Sequence, residues 1–161
     1  MKLIFKLILT LILLVYLAIL SKLILFKYIP LSQIIGHFNF TYEGYHWRDN
    51  NFVPFKTIHF YLYLADINVN IRIENLVGNI IGFSPFGFIL PLLLKRFQKL
   101  RKVTMATFFL SLTFEVIQLV FEFGSFDVDD LILNTLGGIL GYIPFKILQV
   151  TTVNSIQNKN T

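Results

Sequence analysis

Apolar side chains run along this chain in stretches too long for the core helices of a soluble domain. A helix needs about 20 mainly apolar residues to cross roughly 30 Å of bilayer hydrocarbon. Four charge-poor runs reach that length. The first, residues 3–28, is interrupted by Lys6, Lys22 and Lys27, whose long stems can carry charge towards a headgroup region. Residues 75–94 hold no charge, residues 103–121 hold only Glu115, and residues 131–150 hold only Lys146. The pattern predicts an all-α integral membrane bundle of about four transmembrane helices. It divides into an N-terminal transmembrane anchor (1–28), a membrane domain (29–150) and a polar cytoplasmic tail (151–161). The first run opens like a signal sequence, but no small residues mark a cleavage site between Tyr16 and Ser21, so it reads as an uncleaved anchor.

Polar residues inside these runs fall on narrow stripes. Thr104, Thr107, Ser111, Glu115, Gln118 and Glu122 cover 18 positions in five steps, a mean of 3.6, which places them within roughly an 80° arc of one helix face. In the second run Asn75, Gly78, Asn79 and Gly82 share an arc of about 100°. Asp127, Asp130, Asn134, Gly137, Gly138 and Gly141 do the same in the fourth. Gly78 with Gly82, and Gly137 with Gly141, make GxxxG pairs, the spacing that lets helix backbones approach closely or that serves assembly between copies. Counting about 1.5 Å per residue from the outer ends puts Asn79 and Asn134 about 6 Å deep and Glu115 about 9 Å deep. These residues predict a polar pocket between spans two, three and four, opening outward. Pro85, Pro91 and Pro144 predict helix kinks, which neighbouring helices tolerate.

Composition agrees with a membrane chain and then orients it. Of the 161 residues 55% are hydrophobic and 14% charged, against about 25% charged in soluble domains. A mean hydropathy of +0.69 excludes disorder as well. The net charge of +5 comes from one place: Lys95, Arg96, Lys99, Arg101 and Lys102 supply five of 14 basic residues, leaving 14 − 5 = 9 against 9 acidic ones. That is no general basic surface, so a nucleic-acid partner is not implied. Positively charged loops stay on the cytoplasmic side. Residues 95–102 are therefore expected inside, 29–74 and 122–130 outside, and both termini in the cytoplasm of a multi-pass protein of the cell membrane; Lys22 and Lys27 run against this. The outer segment carries Phe38, Phe40, Tyr42, Tyr45, Trp47, Phe52, Phe55, Phe60, Tyr61 and Tyr63, rings that favour the membrane interface. An interfacial or partly re-entrant stretch is expected around residues 52–67.

The candidate pocket residues are Arg48, Arg72, Asn75, Asn79, Glu115, Gln118, Asp127, Asp130 and Asn134. A carboxyl group inside a span is costly, so Glu115 is expected either to carry a proton or to be paired, with Arg72 and Arg48 as partners. The plainer reading makes the amides packing glue between helices and makes Asp127 and Asp130 caps of the fourth helix. No catalytic residue stands out. A rival reading uses Glu115, Asp127, Asp129 and Asp130 as oxygen ligands for a divalent cation such as Mg²⁺ in an enzyme acting on phosphorylated lipid; the leading reading needs no metal or cofactor. His37, His46 and His59 fit no metal-ligand spacing and read as interfacial. With no cysteine, disulfides and thiolate zinc sites are excluded. GxxxxGK[ST], GxSxG and HExxH patterns are absent.

Three segments together resemble the VanZ-like family of bacterial membrane proteins. Arg48-Asp-Asn-Asn-Phe-Val-Pro-Phe-Lys-Thr-Ile58 is similar to the family's Arg-x-x-Asn-Leu-x-Pro-Phe-x-Thr-Ile, with Phe52 in place of Leu. Asn75-Leu-Val-Gly-Asn79 followed by Phe83-Ser-Pro-Phe-Gly87 is similar to its Asn-x-x-Gly-Asn and Phe-x-Pro-Phe-Gly. Glu115-Val-Ile-Gln118 joins Phe126-Asp-Val-Asp-Asp-Leu-Ile-Leu-Asn-Thr-Leu-Gly-Gly138 and Gly141-Tyr142. Many members carry Arg shortly before the Asp motif, where this chain reads Phe123-Gly-Ser-Phe126, so the local charge balance differs here, with Arg72 as the candidate substitute. The resemblance implies an association with reduced susceptibility to the glycopeptide teicoplanin and no particular reaction. The expected ligand is a membrane lipid, a lipid-linked envelope molecule or a glycopeptide. Whether it is bound or transformed is open, as is a purely structural role with homo-oligomers formed through the GxxxG faces.

Overall fold

Polar caps, rather than the limits of hydropathy, set where the helices begin. The computed structural model describes residues 2–26, 50–64, 68–121 and 123–157. In chain order these form α1 (Lys2–Leu25), α2 (Lys56–His59), α3 (Val69–Leu93), α4 (Leu100–Phe121) and α5 (Val128–Gln157). A π-helical turn covers Phe60–Leu64 and a 3-10 turn covers Lys95–Phe97. The Asn68 side chain accepts from the Asn70 N–H at 2.9 Å, so α3 starts six residues before the apolar run at 75 and takes Arg72, Glu74 and Asn75 into its first two turns. Asp127 accepts from the Asp129 N–H at 2.8 Å, which starts α5 at Val128 and puts Asp129 and Asp130 in its first turn. At the other end α5 runs on to Gln157, into the segment read as a polar tail.

Four of these helices, α1, α3, α4 and α5, are long and apolar enough to cross a membrane, as the four runs predicted. Among the described residues there is no strand, only an isolated bridge between Asn51 and Asp127. The helices continue through Pro85, Pro91 and Pro144.

The tightest pair is α3 with α5, and glycine is the reason. A methyl group added at Gly137 would run into the Ile80 carbonyl, and one at Gly141 into the Ser84 carbonyl. Gly87 on α3 meets the Gly138 backbone in the same way. From the third side, Thr107 of α4 sits against Gly138 and donates to the Val103 carbonyl at 2.9 Å. The Gly78 and Gly82 pair behaves otherwise: among the described residues nothing lies within 4 Å of a methyl placed at Gly78, and only Leu20 Cδ1, at 3.6 Å, near one at Gly82. The close approach expected of that spacing is not made there. Helix α1 packs on one side only, through Leu20 and Leu25 in an apolar cluster with Phe83, Phe114 and Phe123. Tyr16 anchors it by donating to the Gly82 carbonyl at 2.6 Å. Leu11, Leu14 and Ile19 stay exposed, the surface a span offers to lipid.

A second cluster, Val103, Tyr142 and Phe145, closes the opposite end of the bundle beside the basic loop. There the Tyr142 hydroxyl donates to the Gln98 carbonyl at 2.7 Å. Lys95, Arg96, Lys99, Arg101 and Lys102 are all exposed around it.

Candidate functional site

The chain between α4 and α5 is organised by hydrogen bonds to Asp127, Asp129 and Asp130, each of which faces a different way. Asp127 lies at the centre. Its N–H donates to Glu115 Oε2 at 2.8 Å, and its Oδ1 accepts from Asn51 Nδ2 at 2.9 Å in addition to the helix cap. Residues 50 and 51 are laid against this turn by backbone bonds, Asn51 N–H to the Phe126 carbonyl at 2.7 Å and Val128 N–H to the Asn51 carbonyl at 3.0 Å. Asn50 Oδ1 accepts from the Phe126 N–H at 2.7 Å.

Asp129 is fully buried and turned towards the 50–64 segment. Its carboxylate accepts from the backbone N–H groups of Phe55, Thr57 at 2.7 Å and Ile58 at 3.0 Å. Those are the donors at the start of α2, which has no side-chain cap of its own. Phe55 has φ 66°, left-handed backbone that costs an ordinary residue about 1–2 kcal/mol, and the Asp129 bond holds it there. Asp130 faces the third way and accepts from Asn79 Nδ2 at 2.6 Å. One turn deeper, buried Asn134 donates to Ser111 Oγ at 2.9 Å, while Asn134 Oδ1 has no hydrogen-bond partner among the described residues.

These bonds frame a cavity of about 420 Å³. Its polar wall is Glu74, Asn75, Asn79, Gln118, Asp127 and Asp130, together with Thr57, Tyr61 and Ser125. Its apolar wall includes Leu20, Leu23 and Ile24 of α1 and Leu76, Phe83 and Leu133. Five of the nine residues expected at a pocket, Asn75, Asn79, Gln118, Asp127 and Asp130, thus do line one. Glu115, Asn134 and Arg72 do not line it: Glu115 and Asn134 are buried between α4 and α5, Glu115 behind Asp127. Arg48 lies outside the described residues.

Three expectations change at this point. The cavity is not enclosed by spans two, three and four alone, because the C-terminal turns of α1 form one wall and the Gln118 amide donates to the Ile24 carbonyl at 3.1 Å. Arg72 is not the partner of Glu115, whose carboxylate meets the Asp127 N–H; Arg72 reaches towards the Leu62 carbonyl at 3.5 Å. The four proposed metal ligands do not converge either: Asp129 caps α2, and among the described residues no group of three His, Asp or Glu is placed to hold a metal ion. Polar periodicity within spans missed Asn51, Thr57 and Tyr61, which lie outside every span. The signal for two of them was the Arg48–Ile58 motif, which contains Asn51 and Thr57.

A second, open groove of about 630 Å³ lies on the far side of Thr57 and Asp127, along Pro54, Phe55, Lys56, His59 and Phe60. The His59 ring sits 5.1 Å from that of Tyr63. Residues 52–63 carry exposed Phe52, Phe55, Phe60 and Tyr63, the character expected of a stretch at the membrane interface.

The model of the VanZ/LLP1 family matches residues 8–149, which includes every residue of the cavity and the groove. Protein VanZ of Enterococcus faecium is 37% identical over 126 residues, covering 78% of this chain and 66% of that protein. This chain therefore spans just under two thirds of that relative's length. No solved structure matches. The family match over most of the chain, the four membrane-length helices and the meeting of the Asn51, Asn79 and Asp127 motifs at one turn lead to the same place: the chain belongs to the VanZ family.

Proposed function

We propose that this protein holds a lipid or lipid-linked molecule of the cell envelope in the 420 Å³ cavity, and through it affects susceptibility to the glycopeptide teicoplanin. The observation that carries this is the two-sided lining of the cavity. Amides and carboxylates from α3, α4 and the α5 turn face leucine and isoleucine side chains of α1. Such a boundary suits a molecule with a polar head joined to an apolar body. Asn79 and Asp130 orient the head, and the leucines of α1 meet the chain.

The basic loop supports the orientation we propose: residues 95–102 and both termini in the cytoplasm, and the cavity towards the outer leaflet. A reporter fused after Gln98 is then cytoplasmic and one fused after Tyr45 external; the reverse pattern defeats this placement. For the cavity, the test is lipid co-purification. Wild-type protein should carry an envelope lipid that is lost from Asn79→Ala and from Asp130→Ala, with teicoplanin susceptibility changing in step while membrane levels persist. Equal lipid content in all three proteins would refute the reading.

A further inference from the structure

The cavity and the groove share Thr57 and Asp127 as a common wall, yet their chemistry is opposite. Besides Asp127, the groove is lined by the Lys56 ammonium and by the His59 imidazole, which carries an N–H donor, set beside the exposed rings of Phe55 and Phe60. Asp127 itself is engaged there by Asn51 and the Asp129 N–H. The cavity presents the carboxylates of Glu74, Asp127 and Asp130, and no lysine or arginine among its described lining residues. An ammonium donates three hydrogen bonds and suits a phosphate. A carboxylate-rich lining accepts hydrogen bonds, repels phosphate, and suits hydroxyl or ammonium groups.

We propose that groove and cavity together form one bipartite site for an anionic phosphodiester lipid. Its acyl chains lie along Phe55 and Phe60, its phosphate meets Lys56 and His59, and its head, bearing hydroxyl or amine donors, enters the cavity past Thr57. The left-handed backbone at Phe55, held by Asp129, places its ring on the groove side of that boundary. This rests on the reading above that the cavity holds an envelope lipid, and it adds which lipid class and which residues choose it.

The test uses the full chain, delipidated in detergent and titrated by native mass spectrometry with three lipids of equal acyl composition. Phosphatidylglycerol has both phosphate and hydroxyls, phosphatidylethanol has the phosphate alone, and monoglucosyl diacylglycerol has hydroxyls alone. Phosphatidylglycerol should bind about tenfold tighter than either. Lys56→Gln combined with His59→Gln should weaken phosphatidylglycerol and phosphatidylethanol by about tenfold and leave the glucolipid unchanged. Gly78→Leu, which fills open cavity space, should weaken phosphatidylglycerol and the glucolipid and spare phosphatidylethanol. No preference for phosphatidylglycerol, or unchanged phosphatidylglycerol affinity in the double variant, overturns the bipartite site. If Gly78→Leu still weakens lipid binding in that case, the cavity reading stands without it. An equal loss for all three lipids in the double variant overturns the site as well, because the glucolipid has no phosphate. If none of the three binds, both readings fall.

Discussion

The glycine pairs of α3 and α5 share one spacing and meet opposite surroundings. On α5, Gly137 and Gly141 press against the carbonyls of Ile80 and Ser84, one turn apart on α3. On α3, among the described residues, Gly78 faces the cavity with nothing near, and Gly82 meets only Leu20 and accepts the Tyr16 hydroxyl bond through its carbonyl. The difference follows from which face of α3 each partner uses. α5 covers Ile80, Ser84 and Gly87, whereas the Gly78 face looks towards the widely spaced α1 and the 57–61 segment. The same small residue thus closes the bundle at one level and, where no helix comes up to fill the space, leaves room for a ligand at another. Spacing tells that two glycines share a face; it does not tell whether another helix covers that face.

The largest effect that can test this contrast is Gly141→Ala. Its methyl would meet main-chain atoms of Ser84, which cannot move aside as the end of a side chain can. The expected loss is about 3 kcal/mol, at the upper end for overpacked cores. It would be read as a fall in the denaturant midpoint in detergent and in the steady-state membrane level. A loss under about 1 kcal/mol would show that the α3 and α5 backbones are free to separate.

Next comes Asp129→Ala. It removes the acceptor for three N–H groups at the start of α2 and leaves Phe55 without its hold in left-handed backbone. Hydrogen bonds to a charged acceptor are worth about 1.5–3 kcal/mol each, though the freed donors at the surface regain water, so about 2–3 kcal/mol is expected in all. The loss should be local: faster amide exchange and proteolysis over residues 51–64, with α3 and α5 still protected. Uniform loosening of the whole bundle would show that Asp129 supports the helices themselves rather than the segment that borders the cavity.

How far the residues foretold this follows the same division between periodic and non-local features. Helix existence was legible because lipid demands long apolar runs, and the Asn79 and Asp130 stripe was legible because a polar group in such a run must face a partner. The start of α3 was not, because Asn68 caps outside the apolar run, whereas the Asp127 cap of the fourth helix was one of the readings its residues offered. Nor was the role of Asp129 legible: it lies off the stripe of Asp127 and Asp130 and reads as one more carboxylate in a first helical turn, yet its partners are backbone groups more than 70 residues away. The part played by α1 was hidden for a different reason. Leu20, Leu23 and Ile24 look like any lipid-facing leucine-rich stretch until α3 and α4 place a cavity beside them.

The smallest effect is the most telling about what covers the α3 face. Gly78→Ala adds a methyl to open space, so it meets no steric cost. In water the change would gain about 0.5–1 kcal/mol of helix propensity. Within a bilayer the separated helices are already helical, so most of that gain is present on both sides of the folding equilibrium. The net change in stability should therefore lie within about 0.5 kcal/mol of zero. Measured beside Gly141→Ala under the same denaturant, the two variants should differ several-fold in their effect despite identical chemistry. A loss at Gly78 as large as that at Gly141 would mean that some backbone does lie against this face in the membrane. The chain's own described helices do not reach it, so that backbone would come from outside them. A parallel shift in oligomeric state would then turn the cavity into an interface.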